Sequence, residues 1–265
     1  MPIGFFALLA AALYLAAAGL FARPLLHRRA LPRAAGLGLA TAAVLIHGSI
    51  LVGVHRGGVD LHFFAALSLV SACVAALCLL MNLARPVATL GVIVFPLAAT
   101  LLAVDVFLAP ATQPLPIEWQ IKLHVVFALL GFSVLSVAAV LAILLALQER
   151  ALRLRRFDGI GRALPPLTLT EALMFQLIGA GFVLLTLTLL SGILFVDNLF
   201  AQHLIHKTVL SIAAWIVFGA LLFGRWRYGW RGRRAVQLTL FGMFLLLLAY
   251  FGSRFVLEVI LKRVP

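Results

Sequence analysis

Apolar residues fall into eight long runs along the chain, and the short segments between them contain arginine, proline, glycine or histidine. A helix of roughly 20 apolar residues crosses a hydrocarbon core of about 30 Å, and the runs are near that length. The pattern therefore predicts an all-α, polytopic membrane helix bundle with about eight transmembrane helices. The predicted spans are Ile3–Ala22, Ala34–Val54, Phe63–Met81, Pro86–Leu108, Leu123–Leu147, Ala172–Val196, Thr208–Phe223 and Val236–Leu257.

The first run begins close to the N-terminus without a basic segment before it or a small-residue cleavage site after it. Because a signal peptide needs both features, we interpret this run as a retained span. No segment between the predicted spans is long enough to fold as a soluble domain. Residues 1–265 are accordingly predicted to form a single integral-membrane domain.

The composition supports this prediction, since 65% of the residues are hydrophobic and only 11% are charged, against about a quarter charged in soluble domains. Mean hydropathy is +1.18. The net charge of +13 would suggest nucleic-acid binding in a soluble protein, but here the basic residues flank apolar spans. We expect membrane lipids as partners and no nucleic acid.

Lysine and arginine are distributed unevenly among the segments that connect the spans. The segments after spans one, three, five and seven contain 15 of them, and those after spans two, four and six contain 3. Basic residues collect in cytoplasmic loops of membrane proteins. The odd-numbered segments are therefore predicted to be cytoplasmic, and both termini are predicted to lie on the outer (periplasmic) side.

The longest predicted cytoplasmic segment, 148–170, contains five arginines and is expected to contact anionic lipids. Near its end, Thr168 and Glu171 have the spacing of a capping box, in which a hydroxyl and a carboxylate bind free amide groups at the start of a helix. We therefore predict a helix start at Thr168.

Histidine has the opposite distribution to arginine. Six of the seven histidines fall in the predicted outer half, and His27 alone falls in the inner half. The six are His47, His55, His62, His124, His203 and His206. His55 and His62 bracket a short loop and are expected to be solvated, as are the acidic residues Asp105, Asp197 and Glu258 near span ends.

Two of these histidines lie on helix faces made mostly of small residues. His124 shares its face with Ala128, Gly131, Leu135, Ala138, Ala142 and Ala146, and His47 shares its face with Gly36, Ala40 and Ala43. Small residues repeating every three or four positions let helices approach closely. Both imidazoles are therefore predicted to point towards other helices and away from lipid.

An inward histidine has two interpretations, which the residue pattern leaves open. A single one more often makes an interhelical hydrogen bond, whereas two at similar depth can bind a metal ion or the axial positions of a haem iron. Zinc is disfavoured because no Cys, Asp or Glu completes a recognisable ligand set. Cys73 and Cys78 lie inside one span, five residues apart, and are predicted to be buried free thiols.

A haem needs one or two axial imidazoles and an apolar slot, and its propionates favour nearby cations. The candidates for the haem iron are His124, His47 and His206, with His203 as a further cofactor-binding residue. Lys122 and Lys207 complete the predicted site, since they stand two residues before His124 and one residue after His206.

Five short pieces of the chain resemble those of the integral-membrane haem-handling proteins of cytochrome c assembly, the group of CcsA, CcmC and HemX. The resemblance is strongest from Lys122 to Leu261, over half of the chain, and weak before it. Its pieces are Lys122–Val125, Leu185–Gly192, His206–Thr208 with Ala214–Trp215, Gly229–Arg234 and Ala249–Ser253.

The resemblance implies that His124 corresponds to the first outer histidine of the haem-presenting members and that Lys207 corresponds to a lysine of their outer segment. Those members carry a tryptophan-rich outer segment, whereas 197–206 contains no tryptophan. Leu261 stands where their second outer histidine would be.

The resulting hypothesis is a haem-binding, haem-handling protein of the bacterial inner membrane, associated with cytochrome c assembly, with haem b held noncovalently by histidine near the outer face. A cytochrome c assembly component or another membrane protein is the expected partner, and an enzymatic activity of the chain alone is not expected, because the residues supply no nucleophile and base pair. The alternatives are a scaffold or regulator that keeps the bundle without haem and, third, a transporter.

Overall fold

The fold was analysed in a computed structural model, which describes residues 3–26, 33–55, 58, 62–85, 87–109, 118–154, 165–195 and 205–252. These residues form eight helices and no strand. The helices are α1 (Ile3–Leu26), α2 (Arg33–Val54), α3 (Phe63–Ala84), α4 (Ala88–Leu108), α5 (Trp119–Arg153), α6 (Leu167–Phe195), α7 (Ile205–Tyr228) and α8 (Arg233–Leu247), and a π-helical turn, Leu248–Gly252, continues α8.

Eight segments of the described chain are long and apolar enough to cross a membrane, which confirms the predicted all-α, multi-span architecture. The orientation rests on the charge count alone and stays a prediction. Large apolar side chains such as Leu15, Leu45, Leu80 and Leu194 are exposed on the helix surfaces. Apolar outer faces of this kind suit helices surrounded by lipid.

Several helices are longer than the apolar runs that predicted them, and the two longest are α5 and α6. α5 has 35 residues and α6 has 29. At the end of α5 the helix continues through polar residues, where Glu149 and Arg153 form an (i, i+4) ion pair of 3.5 Å, a spacing that supports helices in water. Hydropathy marks the part of a helix that lies in hydrocarbon, and here the helix itself extends further.

The chain divides into two compact units, Met1–Pro116 with Leu147–Leu169 and Ile117–Ala146 with Thr170–Pro265. The first unit contains α1 to α4. In it α1 packs against α2 and α4, and α3 packs against the same two helices, so the four helices form a closed ring. The prediction of a single integral-membrane domain stays a prediction.

The second unit contains most of α5 and α6 together with α7 and α8. α5 contacts α6 where Gly181 packs against Leu135, and α6 contacts α7 where Phe182 stacks on Trp215. α7 and α8 meet at Phe218 and Gly242. α8 closes this second ring through its π-helical turn, since Phe132 of α5 contacts Tyr250 and Phe251.

The two small-residue faces are buried as predicted. On α2 the face ends in His47, and Gly36, Ala40 and Ala43 are buried along it. On α5, Ala128, Gly131, Leu135, Ala138 and Ala142 are buried. Gly36 also explains one close approach, because a Cβ there would lie 2.9 Å from the ring of Phe21.

Candidate functional site

His124 lies in the second turn of α5 and is half-buried against α6. Its Nδ1 lies 3.0 Å from the hydroxyl oxygen of Ser191. The Ser191 hydroxyl itself donates to the carbonyl of Thr188, one turn earlier on α6, at 3.0 Å. Because Ser191 has a single hydroxyl proton, these two bonds together correspond to the tautomer in which His124 Nδ1 carries the proton and donates to Ser191. The neutral imidazole then carries its lone pair on Nε2.

The surroundings of His124 contain a buried polar atom and an aromatic pair. Gln120 precedes His124 by one helical turn, and within the described part of the chain its buried Oε1 has no hydrogen-bond partner. Trp119 meets Phe195 of α6 edge to face, with ring centroids 6.1 Å apart. The neighbourhood of the imidazole thus combines an acceptor that needs a donor with apolar rings.

The remaining predicted residues of this unit lie near two helix starts. Lys122 is exposed in the first turn of α5, and His206 is exposed in the first turn of α7, followed by a partly buried Lys207. His203 lies outside the described residues. The assignment of these residues to a cofactor stays a prediction.

His47 belongs to the first unit and has a different environment. It is fully buried on α2. Its Nδ1 lies 3.3 Å from the hydroxyl oxygen of Tyr14 on α1, and its Nε2 lies 3.2 Å from the hydroxyl oxygen of Ser68 on α3. Both ring nitrogens therefore take part in interhelical hydrogen bonds, which is the first of the two interpretations that the sequence left open.

Within the described residues, no group of three His, Cys, Asp or Glu side chains is arranged to hold a metal ion. Cys73 and Cys78 are thiols that are not joined in a disulfide; Cys78 is buried, as predicted, whereas Cys73 is only partly buried. His55 and His62 are partly buried, and His55 Nδ1 lies 2.8 Å from the Leu51 carbonyl oxygen. The two side chains are therefore less exposed than the prediction of solvated histidines implies.

The capping box predicted at Thr168 and Glu171 is wrong. α6 begins at Leu167, so Thr168 is already the second residue of the helix and stands two positions after the cap. The carboxylate of Glu171 is buried and accepts bonds from two arginines: Arg225 Nη1 at 3.0 Å, and Arg231 through Nε and Nη2 at 3.3 Å each. Paired charges of opposite sign provide a stronger partner for a buried carboxylate than helix amides do.

Sequence reasoning also missed the polar contacts made by the Leu185–Gly192 piece. Thr186 accepts a 2.9 Å hydrogen bond from the indole nitrogen of Trp215 on α7, and Ser191 binds His124 on α5. The piece therefore carries hydroxyls towards two neighbouring helices. The sequence feature that could have indicated these contacts is that Thr186, Thr188 and Ser191 interrupt a leucine-rich span.

The sequence profile of the family described as "Cytochrome C assembly protein" matches residues 31–261. Inner membrane protein YpjD of Escherichia coli K12 is 42% identical over 137 residues, which is 52% of each chain. An uncharacterized 28.8 kDa protein of Azospirillum brasilense is 38% identical over 143 residues, 53% of each chain.

A more distant relative is the cytochrome c biogenesis protein CcsA of Heterosigma akashiwo. It is 31% identical over 83 residues, which cover 31% of this chain and 26% of that protein. The chain spans about half the length of the first two relatives. No solved structure matches it significantly. The resemblance stated from the sequence pieces is confirmed at the level of the family.

Proposed function

Because the chain belongs to the cytochrome c assembly protein family, we propose that this multi-pass membrane protein binds haem b noncovalently through His124 and handles haem during cytochrome c assembly. The name of its Escherichia coli relative, an inner membrane protein, supports the bacterial inner membrane as its location. The similarity to CcsA, a cytochrome c biogenesis protein, supports the link to cytochrome c.

The observation that carries the proposal is the hydrogen bond between His124 and Ser191. Histidines that bind metals donate their other ring N–H to a neighbouring oxygen, which fixes the tautomer and the ring plane. Here Nδ1 lies 3.0 Å from the Ser191 hydroxyl oxygen, and in the tautomer that donates to Ser191 the lone pair on Nε2 is available to an iron. His47 lacks this arrangement because both of its nitrogens are bonded to hydroxyls.

Other residues near His124 fit the same ligand. The unpaired Oε1 of Gln120 can accept a hydrogen bond from a propionic acid group, and after rotation of its amide the NH₂ group can donate to a carboxylate. Lys122 and Lys207 are the proposed cations for propionates. A haem bound here would supply an iron that changes oxidation state, while the chain supplies its ligand and its orientation.

His206 is the proposed opposite ligand, since it belongs to the same unit as His124 and starts α7. His203 is the reserve candidate. We propose no enzymatic step for the chain by itself. Attaching haem to a cytochrome requires reduced thiols from a partner, and Cys73 and Cys78 cannot provide them from within α3.

The test is a reduced-minus-oxidised absorption spectrum of the protein purified in mild detergent after expression with added haem precursor. The wild-type chain should show a haem b band, and His124→Ala should lose most of it. The matched control is His55→Ala, since His55 is also partly buried and bonded through Nδ1, and it should keep the band.

Three further outcomes are informative. His206→Ala should keep haem but change the spectrum from a six-coordinate to a five-coordinate type, which supports the assigned pair. Absence of a haem band in the wild-type chain even after supplementation would overturn the proposal in favour of a scaffold or regulator. Equal loss in His124→Ala and His55→Ala would show that the loss is not specific to His124, and would overturn its assignment as the ligand.

A further inference from the structure

The turn between α7 and α8 carries an unusual excess of positive charge. Five arginines lie on it or beside it, and the one carboxylate that contacts them in the described structure is Glu171, so the local net charge is +4. We refer to the five as the arginine turn: Arg225, Arg227, Arg231, Arg233 and Arg234. Glu171 pairs with Arg225 and Arg231. Among the described residues, the other three form no ion pair.

Two of these arginines stand at the unfavourable end of a helix. Arg233 and Arg234 open α8, the first turn of α8 contains no acidic residue, and Gly232 before it provides no side-chain cap. The N-terminus of a helix carries a partial positive charge that favours anions and repels cations. An anion bound between these side chains would relieve that repulsion, whereas water can only screen it.

The turn also links two candidate membrane spans. The candidate membrane span of α7 ends at Tyr228 and that of α8 begins at Arg233, so the four residues between them are expected at a membrane surface. Trp226 and Tyr228 beside them are 81% and 65% exposed. Aromatic side chains at span ends occupy the interface between hydrocarbon and water. The anion closest to this surface is therefore the phosphate of a membrane lipid.

The backbone of the turn is held in place before any ligand binds. Gly229 and Gly232 adopt φ values of +66° and +55°, which side chains with a Cβ rarely adopt. The amide of Trp230 donates to the Gly224 carbonyl at 3.1 Å, and Arg225 Nη1 donates to the Trp230 carbonyl at 3.3 Å. A site that is already ordered loses less entropy on binding than a flexible one.

From these observations we propose that the arginine turn is a binding site for the phosphate headgroup of an anionic phospholipid, with Glu171 positioning Arg225 and Arg231. Arg227, Arg233 and Arg234 contact the phosphate, and Trp226 and Tyr228 lie along the acyl chains. Glu171 prevents Arg231, 62% exposed at its side chain, from moving into solvent.

The experiment measures lipid binding to the purified protein by native mass spectrometry, with phosphatidylglycerol as the anionic probe and phosphatidylcholine as the zwitterionic one. The wild-type chain should prefer phosphatidylglycerol. The double variant Arg233→Gln/Arg234→Gln should bind it about 10- to 30-fold more weakly, because each basic residue at a membrane surface adds severalfold to the affinity for anionic lipids.

The matched control is Arg150→Gln/Arg153→Gln, which removes the same charge from the last turn of α5, where cations suit the helix dipole. Segment 148–170 is itself expected to contact anionic lipids, but Arg153 already pairs with Glu149 at 3.5 Å, so the control should weaken phosphatidylglycerol binding by no more than about threefold. Arg233→Lys/Arg234→Lys should restore most of the binding, which separates loss of charge from misfolding.

Equal weakening in the control and in the test variant would overturn the proposal, because it would show general attraction to a basic protein. Displacement of phosphatidylglycerol by an equal concentration of inorganic phosphate would also overturn it, since the acyl chains would then contribute nothing. The readout is lipid mass on the protein, so the result is independent of whether haem binds.

Discussion

The two four-helix units each contain an inward histidine on a face of small residues, and the two imidazoles differ in how their nitrogens are used. In the first unit, His47 is fully buried and bonded at both nitrogens, to helices on either side of its own. In the second unit, His124 is half-buried and bonded to Ser191 through Nδ1. The sequence pattern is the same, yet one histidine joins three helices and the other is bonded to a single side chain of one neighbouring helix.

The difference indicates that helix periodicity reports the direction of a side chain and says nothing of its partners. Tyr14 and Ser68 are 33 and 21 residues away from His47, and neither position is marked by spacing along α2. Hydrogen bonds at both ring nitrogens stabilise a fold, whereas an imidazole held at one nitrogen is suited to a ligand. Four predictions test this contrast, and the largest effect comes first.

His47→Ala should lower the free energy of unfolding by about 2 to 4 kcal/mol, because it leaves a cavity and two buried hydroxyls without their partner. The measurement is denaturant unfolding in mixed micelles. His124→Ala should cost clearly less, since that site is half-exposed. Equal destabilisation by the two substitutions would remove the contrast between the units.

Ser191→Ala should weaken haem binding about 10- to 100-fold, the usual cost of losing a residue that orients a metal ligand, if His124 holds haem as proposed. Haem titration followed by absorbance measures it. Ser136→Ala is the control, because Ser136 donates to the Phe132 carbonyl of its own helix and should leave the affinity unchanged. A larger loss of haem affinity in Ser136→Ala than in Ser191→Ala would show that the hydrogen bond between Ser191 and His124 does not contribute to haem binding.

Tyr14→Phe should cost about 1 kcal/mol of unfolding free energy, since the ring stays stacked on Phe95 while the bond to His47 is lost. Ser68→Ala should cost a similar amount. Because both bonds share one imidazole, the double variant should deviate from additivity by at least about 0.5 kcal/mol. Strict additivity would argue against a single Tyr14–His47–Ser68 network.

Trp215→Phe should cost about 0.6 kcal/mol, the average for a side-chain hydrogen bond between membrane helices. It removes the bond to Thr186 and preserves an aromatic ring against Phe182. Trp226→Phe provides the comparison, because Trp226 is exposed and its replacement should be neutral. A cost above about 2 kcal/mol for Trp215→Phe would mean that polar bonds stabilise both units alike.

The helices and the buried small-residue faces could be predicted from the sequence because both follow local hydropathy and periodicity. The ion pairs of Glu171 could not be predicted, because Thr168 and Glu171 follow a proline-containing loop and have the spacing of a helix cap. Its actual partners, Arg225 and Arg231, lie 54 and 60 residues further along the chain. The hydrogen bond that orients His124 is also long-range, at 67 residues, although His124 itself was predicted.

The 35 residues of α5 give it a length of about 52 Å at 1.5 Å per residue, against a hydrocarbon core of about 30 Å. Even a tilt of about 40°, the upper end of the usual range, leaves a height of about 40 Å. Some of α5 must therefore stand outside the hydrocarbon in any bilayer. A thinner membrane exposes more of the helix without ending it, and the depth of His124 becomes a property of the surrounding lipid as well as of the chain.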